Sequence, residues 1–258
     1  MNSDSPLFHF TTDLSTVPLP PSLNNPFGNN IPMIAKIAAK EFQVFLLKKC
    51  SEWKYDFNSR PGKMFGVLVV ELEDKELAFL GTISGYLDRS DVCLEFVPSV
   101  YRDEEHDFFL FKNMTAITDL GNRILESKNH EEIEELNKKR SKQSVAIQKK
   151  LFTKYLFRNT IGETKSVKQI FNDSDFDRPP PAAAGECAAP KLLQYAIENN
   201  LKPVAIAEFW WGNETKDKER QHLHYYPACK DKCKPILEYM LMDDELFVKG
   251  RQELAQGN

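Results

Sequence analysis

The chain has 258 residues and a mass of 29.7 kDa, enough for one or two domains with a sizeable core. At 41% hydrophobic and 28% charged residues, with a mean hydropathy of −0.46, it matches neither a membrane-spanning nor a fully disordered protein. A formal net charge of −4 disfavours polyanion binding by overall charge, so nucleic acid would have to meet a local basic patch.

Five cysteines is an odd number, and residues 1–20 lack a basic start followed by an apolar stretch. No secretory signal is expected, and the composition fits a reducing cytoplasm. Clustered cysteines there point to metal binding or catalysis rather than disulfides.

Residues 1–32 carry Pro18, Pro20, Pro21, Pro26 and Pro32 among Asn and Ser, which predicts an extended N-terminal arm without repeating secondary structure. From there residues 33–258 read as one α/β domain. Ile34, Ile37, Ala38, Phe42, Phe45 and Leu46 recur at helical spacing and predict an amphipathic helix over 34–50. Apolar, β-branched runs at 65–70 and 77–83, separated by Glu73, Asp74 and Lys75, predict a hairpin.

A helical insertion is expected at about 103–150. Ile117, Leu120 and Ile124 repeat at three and four, and Ile133, Leu136, Ile147 and Leu151 continue less regularly. An acidic block at 131–135 is followed by a basic one at 138–142. The pattern suits a helical hairpin or short coiled-coil arm that could meet a protein partner, and equally a solvated helical face. Residues 171–184 read as a loop, 187–199 as a helix with Pro190 in its first turn, 203–211 as a strand, and 233–242 as a helix with Pro235 in its first turn.

The chemistry-bearing residues lie in this last third. Cys187 stands at one predicted helix start, and Cys229 and Cys233 stand at or just before the next. Helix N-termini favour thiolate through their dipole and free N–H groups. In a helix–strand–helix unit on a parallel sheet both N-termini face one sheet edge, so the three sulfurs would converge. Zinc takes thiolates in tetrahedral geometry, and three protein ligands leave one position open. Cys229-x3-Cys233 alone is a weak signal, and free cysteines often only fill space; Cys50 and Cys93 read as core. His222 and His224 alternate just before the pair, and His224 is a candidate fourth ligand. Trp211, Tyr225, Arg220, Lys230, Lys232 and Lys234 surround the same loop and could stack on and neutralise an RNA strand. Glu214, Asp217, Glu219 and Asp231 dilute that patch.

Three words in this region resemble the N-terminal accessory region of bacterial RluA-type pseudouridine synthases. They are Ala184-Gly-Glu-Cys-Ala-Ala-Pro-Lys-Leu-Leu-Gln-Tyr-Ala196, Ala207-Glu-Phe-Trp-Trp-Gly212 and Tyr226-Pro-Ala-Cys-Lys-Asp-Lys-Cys-Lys-Pro-Ile-Leu237. Gly62-Lys-Met-Phe-Gly-Val-Leu-Val69 and Phe96-Val-Pro98 resemble it too, so the likeness spans nearly the whole chain. It implies a helical arm in the middle and an association with RNA, rRNA or tRNA. The catalytic Arg-Leu-Asp word of those enzymes is missing, so pseudouridine synthesis is carried by no residue here.

The predicted order of helix, strand, strand, helix, strand, helix also resembles, more distantly, zinc-dependent nucleobase deaminases. Those use His/Cys-x-Glu and then Pro-Cys-x-x-Cys, with the Glu moving protons. Cys187, Ala189, Cys229 and Cys233 fall on these positions, so Ala189 replaces the glutamate. Metal ligation survives that change, whereas proton transfer would need Glu186 or Glu208. Glu186 precedes the ligand and is expected to face away, and Glu208 could be buried against Lys191.

The expected fold is therefore α/β, a mixed sheet flanked by helices with a helical insertion. The expected function is a non-catalytic RNA-associated module with a cysteine-ligated zinc. A zinc-dependent deaminase-type hydrolase acting on a nucleobase or nucleotide is the alternative, and a protein-interaction module is a third reading.

Overall fold

In the computed structural model, residues 6–85, 87, 93–101, 109–176, 178–215 and 217–242 are described. Five strands form one antiparallel sheet. Strand β2 (Lys63–Glu71) lies at its centre, paired on one side with β3 (Leu77–Ile83) and on the other with β6 (Lys202–Trp211). Short β1 (Leu7–His9) and β7 (Tyr225–Tyr226) close the two edges.

Helix α1 (Met33–Lys49) covers one face, burying Ile34, Ala38, Phe42 and Leu46 against Phe65, Val67, Phe79, Ala207 and Phe209. The other face, with Leu68, Val70, Leu80 and Ile206, packs against α5 (Ala188–Glu198) and α6 (Lys234–Met240). With both faces covered, β2 and β6 can be apolar nearly throughout, which is why their sequences run rather than alternate.

The hairpin closes through Glu73, Asp74 and Lys75: Lys75 adopts φ 72°, and the Asp74 carboxylate accepts the Glu76 N–H at 3.0 Å. At Gly66, in the middle of β2, a Cβ would lie 2.8 Å from the Ala188 Cβ. The missing side chain is what allows the start of α5 to rest directly on the sheet.

Two expectations are corrected. The ladders are antiparallel throughout rather than mixed. β3 and β6 do run in the same direction, but both pair with β2, which lies between them and runs oppositely. The N-terminal arm is not free of secondary structure: β1 pairs with β3, and Phe8 stacks on Phe79 with centroids 5.1 Å apart. Pairing is possible because residues 7–9 contain no proline and Leu7 and Phe8 pack on the core clusters at opposite faces of the sheet.

The insertion comprises α2 (Phe109–Glu126) and α3 (His130–Lys154), packed on each other through a three-residue connection; residues 103–108 lie outside the described residues. The Asn129 side chain caps α3 by accepting the Glu131 and Glu132 N–H groups. Leu120 and Leu136 are buried, and Phe152 and Tyr155 root the far end of α3 in the core beneath α5. A small sheet, β4 (Leu156–Arg158) with β5 (Thr164–Ser166), and α4 (Val167–Asp173) follow, none of them anticipated. Among the described residues, no helix is long and apolar enough to cross a membrane.

Candidate metal centre

Cys187 is the N-cap of α5 and Cys233 the N-cap of α6. Strand β6 delivers the chain from the first helix toward the second. The three sulfurs of Cys187, Cys229 and Cys233 lie within 4.8 Å of one another. Cys187 Sγ is 3.8 Å from Cys229 Sγ, which is 3.2 Å from Cys233 Sγ. Tetrahedral ligation with metal–sulfur bonds of about 2.3 Å puts sulfurs about 3.8 Å apart, so the donors fit a metal ion with small adjustments. Convergence needed no parallel ladder, only two helix starts on the same side of β6.

The Cys187 sulfur is not spent on capping its own helix. The first N–H groups of α5 are satisfied from elsewhere: Ala188 N–H donates to Ser84 Oγ and Ala189 N–H to Glu208 Oε1, both at 3.0 Å. Hydrogen bonds from the Cys187 and Cys233 thiols, with the Lys232 and Cys233 N–H groups, hold the Cys229 thiol well below its ordinary value. The same contacts push the Cys187 and Cys233 thiols up, because a second thiolate so close would repel the first. Without a metal these shifts favour a single thiolate shared among the three sulfurs, whereas a divalent cation would favour thiolate at all three and leave the site with one net negative charge.

Glu208 is the buried acid of this region. It lies on the α5 face of β6, opposite Gly66 on β2 and Tyr226 on β7. Burial pushes its carboxyl up to about 7, opposed mainly by the Ala189 N–H. The nearby Cys229 raises it further, while Arg220 lowers it. Its oxygens are not in the sulfur group, so it stands beside the candidate metal position rather than in it. A cavity of about 10 Å³ is lined by Glu208, Ala189, Ile206, Tyr226 and Ala228 on one side and by Asn24, Pro26, Gly28 and Ile31 of the arm on the other. That is room for a single water.

The remaining predicted residues do not all gather here. His224 is exposed, with its Nδ1 3.1 Å from the His222 carbonyl, and does not join the sulfur group. The tight turn at Leu223 (φ 65°) leads out of the loop before the chain reaches Cys229. Trp211 is buried on the α1 face, with its ring 4.8 Å from that of His222, and offers no stacking surface beside the cysteines. Arg220 lies over the Tyr226 ring at 4.2 Å, and Tyr225 packs edge-on to Phe209. Lys234 reaches Glu238 at 3.9 Å. Lys230 is exposed and Lys232 half-exposed, while the intervening Asp231 pairs with Arg178 at 2.6 Å.

Glu186 faces away from the sulfurs as expected, accepting from Ser99 Oγ at 2.6 Å and from the Tyr155 hydroxyl. Lys191 is buried but reaches the Gly85 carbonyl at 3.4 Å rather than Glu208. Cys50 and Cys93 are half-buried beside the aromatic cluster, and burial pushes their thiols up to about 11 and 12. Asn24 and Ser84 were not anticipated at the site; nothing in their spacing distinguishes them from loop residues.

No family model, curated protein or solved structure matches this chain.

Proposed function

We propose that the chain is a zinc-dependent hydrolase of the nucleobase-deaminase type in which the proton-transfer carboxylate comes from β6. The observation that carries this reading is the Glu208 carboxylate at the Ala189 N–H. Ala189 occupies the position where the resembled motif has its glutamate. A carboxylate from the neighbouring strand therefore reaches the start of the ligand helix by another route. The succession α1, β2, β3, α5, β6, α6, with α2 to α4 inserted, supports the same reading.

When bound, zinc would supply Lewis acidity and make an attached water easier to deprotonate. The chain's own residues do the rest. Cys187, Cys229 and Cys233 would hold the ion, and three protein ligands would leave one coordination position for water or substrate. Glu208 would take a proton from the attacking water as the water oxygen bonds to the amine-bearing ring carbon and the ring C=N electron pair moves onto the ring nitrogen. Glu208 would pass that proton to the ring nitrogen, then take the proton of the new hydroxyl and hand it to the exocyclic nitrogen, so that the C–N bond breaks, ammonia leaves and a carbonyl remains. Burial that places this carboxyl between its two protonation states at neutral pH suits a group that must both accept and donate.

The test is ammonia release by zinc-loaded protein across a panel of nucleobases and nucleotides, alongside Glu208→Gln. Turnover should fall by roughly 10²–10⁴-fold in the variant while zinc content stays the same. Zinc-loaded wild type without turnover on any amino-bearing base would refute the hydrolase reading. It would favour an RNA-associated module without turnover, for which exposed Lys230 beside Cys229 is the supporting feature.

A further inference from the structure

The cavity beside Glu208 has room for one water, whereas a small ring molecule needs a cavity on the order of 150 Å³. The wall that limits it is not the sheet or the helices but the N-terminal arm, through Asn24, Pro26, Gly28 and Ile31. We infer that residues 23–28 form a separable cover over the candidate site, and that any substrate larger than water enters where this segment now sits. The inference rests on the hydrolase reading only for what enters; the cover itself is read from the arm.

Three hydrogen bonds hold the segment to the site. The Asn24 carboxamide acts as a surrogate strand partner on the outer edge of β6, where β7 is too short to reach. Its Nδ2 donates to the Ile206 carbonyl at 3.1 Å, and its Oδ1 accepts the Ile206 N–H at 2.8 Å. The Ala228 N–H donates to the Pro26 carbonyl at 2.8 Å. Leu23 and Pro26 are buried beneath it.

The segment is also folded on itself. The Asn25 side chain accepts the Phe27 N–H, and its carbonyl accepts the Gly28 N–H, so the turn can lift as a unit. When it lifts, the freed groups of Ile206 and Ala228 are backbone N–H and C=O at a sheet edge and a loop, which water can satisfy. Opening therefore costs three hydrogen bonds and the burial of Leu23, Pro26 and Phe27 at the margin of the core, while the sheet and the helices beneath keep their own packing. The sulfurs of Cys187, Cys229 and Cys233 contact one another, and among the described residues none of them bonds to the segment, so the metal ligands can stay in place while the entrance opens.

The experiment is carboxyl labelling of the full-length protein with a water-soluble carbodiimide and glycinamide, read at Glu208 by peptide mass spectrometry. The carbodiimide activates the carboxyl, the amine displaces the urea, and an amide forms. Glu186, buried and held by Ser99 and Tyr155, is the internal control for general unfolding. Asn24→Ala removes two of the three bonds and should raise Glu208 labelling by about tenfold or more, leaving Glu186 unchanged. Unchanged labelling of Glu208 would overturn the inference. So would Glu208 and Glu186 rising together, because the segment would then be an inseparable part of the fold. Neither readout depends on zinc or turnover, so a failure of the cover and a failure of the hydrolase reading remain distinguishable.

Discussion

Gly66→Ala tests how closely the sheet and the candidate centre are coupled. The glycine sits inside the central strand, paired with Thr82 on one side and Glu208 on the other. An added Cβ would meet the Ala188 Cβ at 2.8 Å, Leu192 Cδ1 at 3.2 Å and Glu208 Cγ at 3.5 Å. The Leu192 methyl can swing away, but the Ala188 Cβ is fixed to the helix backbone, so α5 itself must move outward by a few tenths of an ångström. Overpacking of this kind costs roughly 1–3 kcal/mol. Alanine's lower chain entropy in the unfolded state returns about 0.4–1 kcal/mol. The net expectation is a loss of about 1–2 kcal/mol. The same movement draws Ala189 N–H away from Glu208 and shifts Cys187, so metal affinity should weaken in parallel. Urea unfolding and a chelator competition on the same preparations measure both effects. A variant as stable as wild type, with unchanged affinity, would refute the close approach of α5 to the sheet.

Cys229→Ser should reduce bound metal from one per chain to nearly none and lower the thermal midpoint, because Cys229 bridges the other two sulfurs; Cys50→Ser should retain the metal. Elemental analysis checks both, and metal retained by Cys229→Ser would count against the centre. In the metal-free protein, burial raises the Glu208 carboxyl from 4.5 to about 7. A raised carboxyl contributes stability that is fully present below pH 4.5 and lost as pH rises through 7, a change of about 3 kcal/mol. Urea unfolding in chelator and reductant at pH 5 and pH 8 should show this loss in wild type but not in Glu208→Gln, and equal slopes would contradict it. If RNA meets the loop, Glu at positions 230, 232 and 234 together should weaken binding of a structured rRNA fragment, and wild-type affinity should fall as salt rises. No wild-type gel shift at low salt would remove that reading.

The elements legible in the sequence are those with strong period or punctuation. Phe42 and Leu46 recur on one helical face, the hairpin is marked by Glu73-Asp74-Lys75, and Pro190 and Pro235 fit only a first helical turn. Convergence of Cys187, Cys229 and Cys233 was likewise readable, because helix starts flanking one strand have few places to go. What escaped was tertiary. The strand β1 is three residues long and gains its structure from the edge of β3. Helix α4 is seven residues long, although its capping box, Ser166 with Gln169, was present in the sequence as a start signal. Alternation along β6 places Glu208 on the α5 face but cannot say that Ala189, rather than Lys191, would meet it. Trp211 reads as a stacking residue only until α1 covers its face of the sheet.

The most direct measurement is X-ray absorption at the zinc edge of the protein purified under anaerobic conditions. The account predicts one zinc per chain with three sulfur neighbours at about 2.3 Å and one oxygen neighbour. A spectrum without a sulfur shell, or protein that takes up no zinc, would contradict it.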